Sequence, residues 1–158
     1  MNPTASFIHI LDREINCSTR LLKVLRRENA ALKNADTDTL ETIVTEKETL
    51  LVELDSRVSA HNAFLDEQGL PPGLEGTEKL LDYFANDPRA EKKWSELQEL
   101  AQACRNLNEI NGGIVALSQR HVRKALDILS GNNGPAGNTY GRCGETHSMS
   151  SSQSIGKA

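Results

Sequence analysis

The sequence predicts an all-α fold: a long antiparallel helical hairpin, a short helix and a long C-terminal helix form an elongated bundle, and a tail without fixed structure follows. Three observations lead there. Apolar residues recur at helical spacing over three long stretches. Gly and Pro gather mainly between those stretches and after the last one. Apolar residues make up 37% of the 158 and aromatics 4%, which suits narrow apolar stripes better than the thick core of a compact globule.

The first helix is expected over roughly residues 4–34. Ile8, Leu11, Ile15, Leu22, Leu25 and Leu32 stand three and four apart, and Ser18 and Asn29 complete the seam. A helix of 30 residues is about 45 Å long. Residues 34–38, Asn-Ala-Asp-Thr-Asp, end it with groups that cap helices. Asp38 with Glu41 resembles a capping box, and Asp36 competes as the N-cap.

The second helix shows Leu40, Val44, Leu51, Leu54, Val58 and Leu65 on one seam with Lys47 and His61, and Ile43, Leu50 and Phe64 widen the stripe. It ends near Gln68, because Gly69-Leu70-Pro71-Pro72-Gly73 cannot continue a helix. Two long helices joined by a tight connection fold back on each other. Residues 69–76 are read as a loop, and Thr77 to about Ala85 as a short helix with Leu80, Leu81 and Phe84 on one side.

Asp87-Pro88 is a helix start, an N-cap followed by Pro at the first helical position. The last helix then runs from Pro88 to Leu129, with Trp94, Leu97, Leu100, Cys104, Leu107, Ile110, Ile114, Leu117, Ala125 and Ile128 near one face. Gly112-Gly113 interrupts it at a cost of about 1 kcal/mol each against Ala, which marks either a kink or the close approach of another backbone. Residues 131–158 hold six Gly and five Ser among few large apolar groups. Such a segment buries too little to offset its ordering entropy. The chain therefore divides into a helical domain, 1–130, and a tail, 131–158.

Charge and cysteine content narrow the function. The net charge is −4, so bulk attraction to nucleic acid or to anionic membrane is not expected. That charge is partitioned: residues 1–34 carry six basic and three acidic groups, whereas residues 35–68 carry two basic and nine acidic ones. The basic runs Arg20–Arg27 and Arg120–Lys124 lack interleaved aromatics and read as solvated helix faces rather than a nucleic-acid surface. Cys17, Cys104 and Cys143 are far apart and odd in number, which fits neither a metal pair nor a disulfide framework. No run of eighteen apolar residues occurs and Asp12, Arg13 and Glu14 break any leader core, so a cytoplasmic, soluble chain without stable membrane insertion is expected.

Nothing in the residues points to catalysis. None of the four histidines has Glu three residues before it, as a di-iron bundle requires, and Gly-rich phosphate loops, HExxH and GxSxG are missing. No metal or other cofactor is expected. His61 and His121 read as interface histidines with hydrogen-bond partners, and Cys104 as a small core residue. Tyr140 differs from these, an aromatic set in a Gly-rich tail with no core to bury it. It is either incidental there or part of a docking motif that orders on a partner.

One resemblance adds to this reading. The stretch Cys104-Arg105-Asn106-Leu107-Asn108-Glu109-Ile110-Asn111-Gly112-Gly113-Ile114, then Ser118 and the Arg-His-x-x-Lys-Ala-Leu run ending at Leu126, resembles the long C-terminal helix of the FlgN family. The tail segment Asn138-Thr139-Tyr140-Gly141-Arg142-Cys143-Gly144-Glu145-Thr146 and the ending Ile155-Gly156-Lys157-Ala158 are similar to that family's Tyr-Gly-x-x-Gly-x-Thr segment and basic terminus. The hairpin, with Asp38-x-Leu40 and Glu46-Lys47-Glu48 on an acidic second helix, is similar too.

The resemblance implies a cytoplasmic chaperone of flagellar type III export, without catalysis or cofactor. Such a chaperone binds the C-terminal amphipathic helices of hook-associated (hook–filament junction) proteins, prevents their premature association and delivers them to the export gate and its ATPase complex. By motif, export-gate docking falls on Tyr140. The residues supply a matching surface: Leu107, Ile110, Ile114 and Leu117 have the spacing of a client-binding groove, and Gly112 admits a client backbone. The same four residues equally suit packing on the first two helices. The competing class is a structural coiled-coil subunit or export-apparatus adaptor without a client, and the heptad-like seams leave pairing as a homodimer open.

Overall fold

The computed structural model describes residues 2–131, 138–140 and 146–148. Among the described residues there are four helices: α1 (Pro3–Lys33), α2 (Thr37–Glu67), α3 (Leu74–Tyr83) and α4 (Pro88–Leu129). The chain forms two compact units, Met1–Ile114 and Val115–Ala158, so the division falls inside α4, directly after the Gly112-Gly113 pair.

Local chemistry sets the helix ends. The Asn2 side chain accepts from Thr4 N–H at 2.9 Å, with Pro3 opening α1. Asp36, not Asp38, caps α2. It accepts from Thr39 N–H at 3.2 Å and from the Thr39 hydroxyl at 2.6 Å, while Asp38 lies in the first turn. Asp87 accepts from Arg89 N–H at 3.1 Å at the start of α4. α3 begins three residues earlier than the sequence suggests. Gly73 stands at its N-cap without any side-chain cap, so no capping signal marks the start. Gly76 then lies inside the helix against the Pro71 segment. A Cβ at that position would overlap the Pro71 carbonyl oxygen and sit 2.9 Å from its carbonyl carbon, so the close approach requires glycine.

In the first unit α1 is the central helix. Pairings between Arg27 and Glu46 and between Arg20 and Glu53 run α2 antiparallel to α1. Pairings between Asp12 and Lys93, Ser18 and Cys104, and Leu25 and Asn111 run α4 parallel to it. Flanked on two sides, α1 buries Phe7, Cys17, Leu21, Val24 and Ala31 along with Leu11, Leu22 and Leu25. The single seam expected from the sequence is thus a correction, since Ile8, Ile15 and Leu32 are only half-buried. On α2 the expected stripe holds in part: His61 and Leu65 of the seam are buried, with Ile43 and Leu50 beside it, while Val44, Leu51 and Val58 are open to solvent.

The core is two apolar clusters in series. One gathers Cys17, Leu21, Leu25, Ile43, Leu50 and Cys104 toward the α1–α2 turn; the other gathers Phe7, Leu11, Leu65, Leu80, Ala90 and Leu97 around α3. Burial pushes both the Cys17 and the Cys104 thiols above the ordinary cysteine value. The thiols donate to Leu50 O and Ser18 O, each at 3.6 Å.

In the second unit, residues 115–129 complete α4. Asn138–Tyr140 pairs antiparallel with Thr146–Ser148; a two-stranded ribbon adds little stability by itself. The rest of the tail, expected to lack fixed structure, lies outside the described residues.

Candidate functional site

A polar layer separates the two core clusters. His61 Nδ1 donates to Glu14 Oε2 at 2.9 Å, and His61 Nε2 lies 2.9 Å from the Thr77 hydroxyl, which also reaches Gly73 O at 2.9 Å. All three side chains are buried. Each comes from a different helix, so the layer ties α1, α2 and α3 at one level. Phe7 and Trp94 meet the imidazole edge-on, at ring distances of 5.3 and 5.9 Å.

The array has the carboxylate–imidazole–hydroxyl order of a nucleophilic triad. Thr77 is nevertheless fully buried, with its hydroxyl engaged on its own helix. The arrangement therefore satisfies buried polar groups and fixes helix level rather than presenting a nucleophile. His61 thus has the hydrogen-bond partners expected of an interface histidine. Beside the layer, a cavity of about 340 Å³ has apolar walls from Leu21, Leu54, Val58, Leu97 and Ala101.

Toward the other cluster a second polar group joins α1 to α4. Asn111 Nδ2 donates to Leu25 O at 3.0 Å and to Glu28 Oε1 at 2.8 Å, while Asn29 Nδ2 donates to Asn111 Oδ1 at 2.9 Å. Lys47 extends it from α2, donating to both oxygens of Glu28 at 3.2 Å and to Asn108 Oδ1 at 2.9 Å. Sequence reasoning singled out neither Glu14, Thr77 nor Asn111. The available signal was polar residues set at core spacing after Leu11, namely Glu14 and Ser18.

The residues named as a client groove fall in different environments. Leu107 is half-buried and packs on the cluster around Cys104, so it serves the core of the first unit. Ile110 is 55% exposed and Ile114 half-buried, and nothing lies within 4 Å of where a Gly112 Cβ would stand. Among the described residues the glycine pair therefore marks no close approach, and α4 continues through it. In the second unit Leu117 is 48% exposed, followed by exposed Val122, Leu126, Ile128 and Leu129. Tyr140 ends the first strand of the short ribbon, and its side chain lies outside the described residues. Among the described residues no three His, Cys, Asp or Glu side chains group as a metal site, and no helix is long and apolar enough to cross a membrane.

Comparison with known proteins sets these features in a family. No curated protein matches the chain. Among solved structures, the crystal structure of a Pseudomonas aeruginosa protein described as a flagella synthesis protein FlgN is similar, with a TM-score of 0.60 at 24% identity over 70% of this chain and 86% of that one. At that identity the likeness speaks for the fold. The family model for FlgN protein matches residues 1–148, nearly the full sequence. The chain belongs to the FlgN family.

Proposed function

We propose that this protein is a cytoplasmic export chaperone of flagellum assembly, holding the C-terminal amphipathic helices of hook-associated proteins before delivery to the export gate and its ATPase complex. Membership of the FlgN family supports a flagellar role. One observation carries the binding step: within the first unit α4 presents Ile110, about half exposed, and Ile114 at helical spacing, with an open Gly112 between them, and the sequence continues that spacing to Leu117. Apolar residues left at that spacing suit a partner helix with its own i, i+3, i+4 anchors. Leu107 supports the surface from the core side. Tyr140 is the export-gate contact in this reading, separate from the client surface.

Calorimetric titration of the full chain with the isolated C-terminal helical segment of a hook-associated protein tests the reading. Micromolar or tighter binding is expected, weakened about thirtyfold by Ile110→Asp with Leu117→Asp, as for loss of a central apolar anchor. Tyr140→Ala should leave that affinity unchanged. Circular dichroism checks that the variants stay folded. No binding by the native chain, or equal binding by the double variant, refutes the client surface and favours a coiled-coil adaptor.

A further inference from the structure

The second unit's helical segment carries an apolar face of which the client reading uses only Leu117. At about 100° per residue, Leu117, Ile128, Ala125, Leu129, Val122, Val115 and Leu126 fall in that order around one arc of roughly 180°, interrupted only by His121 and Ser118. The opposite arc holds Gln119, Arg123, Ala116, Asp127, Arg120 and Lys124. Lys124 adjoins the Leu117 margin of the apolar arc, and Arg123 lies beyond the Leu126 margin. The large apolar side chains are open to solvent: Val122 and Leu126 are each 59% exposed and Leu129 83%.

We infer that residues 115–129 form an interfacial docking helix for an anionic lipid bilayer, lying in the plane of the headgroups. Two features choose this occupant. The apolar arc covers half the helix, well above the roughly 100° minimum of a core-facing stripe, which suits a planar apolar surface. The polar face carries Arg120, Arg123 and Lys124 against Asp127 alone, the charge that anionic headgroups complement. Within the second unit's own sequence, residues 115–158, basic groups outnumber acidic ones five to two. Basic side chains near the margins extend their alkyl stems over the apolar boundary and keep their charge among the headgroups. Docking is shallow and reversible, since a single amphipathic helix reaches only about 5–10 Å into the interface. The face shares only its margin residue Leu117 with the client reading, and the variants that test it leave Leu117 unchanged.

Flotation of the full chain with vesicles of phosphatidylcholine and phosphatidylglycerol at a 7:3 ratio, against pure phosphatidylcholine, tests it at low and moderate salt. Binding to the anionic vesicles is expected to exceed that to neutral ones at least tenfold and to fall with salt. Arg120→Gln, Arg123→Gln and Lys124→Gln should each lower it about fivefold. Val122→Asp with Leu126→Asp should abolish it while the helical circular dichroism persists. Equal recovery on both vesicle types overturns the inference, as does no recovery on either, the outcome if the tail or a second copy covers this face. Undiminished binding by either set of variants overturns it too.

Discussion

Replacing Thr77 with Val tests whether the polar layer between the two core clusters is a coupled unit. Val keeps the shape of Thr and removes the hydroxyl. Gly73 O keeps a partner, because Thr77 N–H also donates to it at 3.1 Å. His61 Nε2 does not: its partner is that hydroxyl at 2.9 Å, and the ring is buried. One buried ring nitrogen is left unpaired, at a cost of about 1–3 kcal/mol. With a urea dependence of about 1–3 kcal/mol per molar, the unfolding midpoint should fall by roughly 1 M. Trp94 is the sole tryptophan and meets His61 edge-on, so its fluorescence reports this layer directly. The same substitution beside His61→Phe closes a double-mutant cycle. His61→Phe alone is expected to cost about 3–5 kcal/mol by leaving the buried Glu14 unpaired, within the 5–15 kcal/mol typical of a folded domain (roughly, for this size). In that background Thr77→Val should cost less than about 0.5 kcal/mol. An equal cost in both backgrounds, or a shift below about 0.5 kcal/mol in the native chain, would refute the coupling.

Gly76→Ala should lower the melting temperature by about 5–15 °C, because the added methyl collides with the Pro71 backbone and overpacking costs about 1–3 kcal/mol; scanning calorimetry reads this, and an unchanged transition contradicts the close approach. The Arg89 side chain and backbone N–H hold the Asp87 carboxyl down at about 2 against an ordinary 3.8. A pKa depressed by folding gives stability that is complete above the unfolded value and is lost as pH falls through the range between the two. Asp87→Asn should therefore be less stable than the native chain at neutral pH and converge with it as pH approaches 2, measured as melting temperature against pH.

Much of the architecture is legible in the sequence because helix ends are local. Asp87-Pro88 fixes the start of α4 and the Gly-Pro-rich segment fixes the end of α2, each through groups within a few residues. The start of α3 was not legible, since Gly73 supplies no side-chain cap and Gly76 reads as a loop residue although it is there to fit Pro71. The burial pattern of α1 was also hidden. A seam with one period describes a helix with one neighbour, whereas α1 has α2 and α4 on two sides and buries Phe7, Cys17 and Val24 as well. The Glu14–His61–Thr77 layer joins residues 16 and 47 positions apart, a juxtaposition that spacing within a single helix does not encode. On α4, spacing alone could not separate Leu107, which serves the core, from Ile110, which faces solvent.

The parallel pairing of α1 with α4 also has a consequence in time. Its bonds join residues 86 positions apart, as between Cys104 and Ser18, while those of α1 with α2 can join residues only 19 apart, as between Arg27 and Glu46. Short loops close sooner than long ones. On the ribosome, at about 5–20 residues per second, the hairpin precedes the matching turns of α4 by roughly 2–9 s. During that interval Ser18, Leu25 and Glu28 of α1 lack their α4 partners, and the growing chain carries an open flank that its own last long helix must arrive to close.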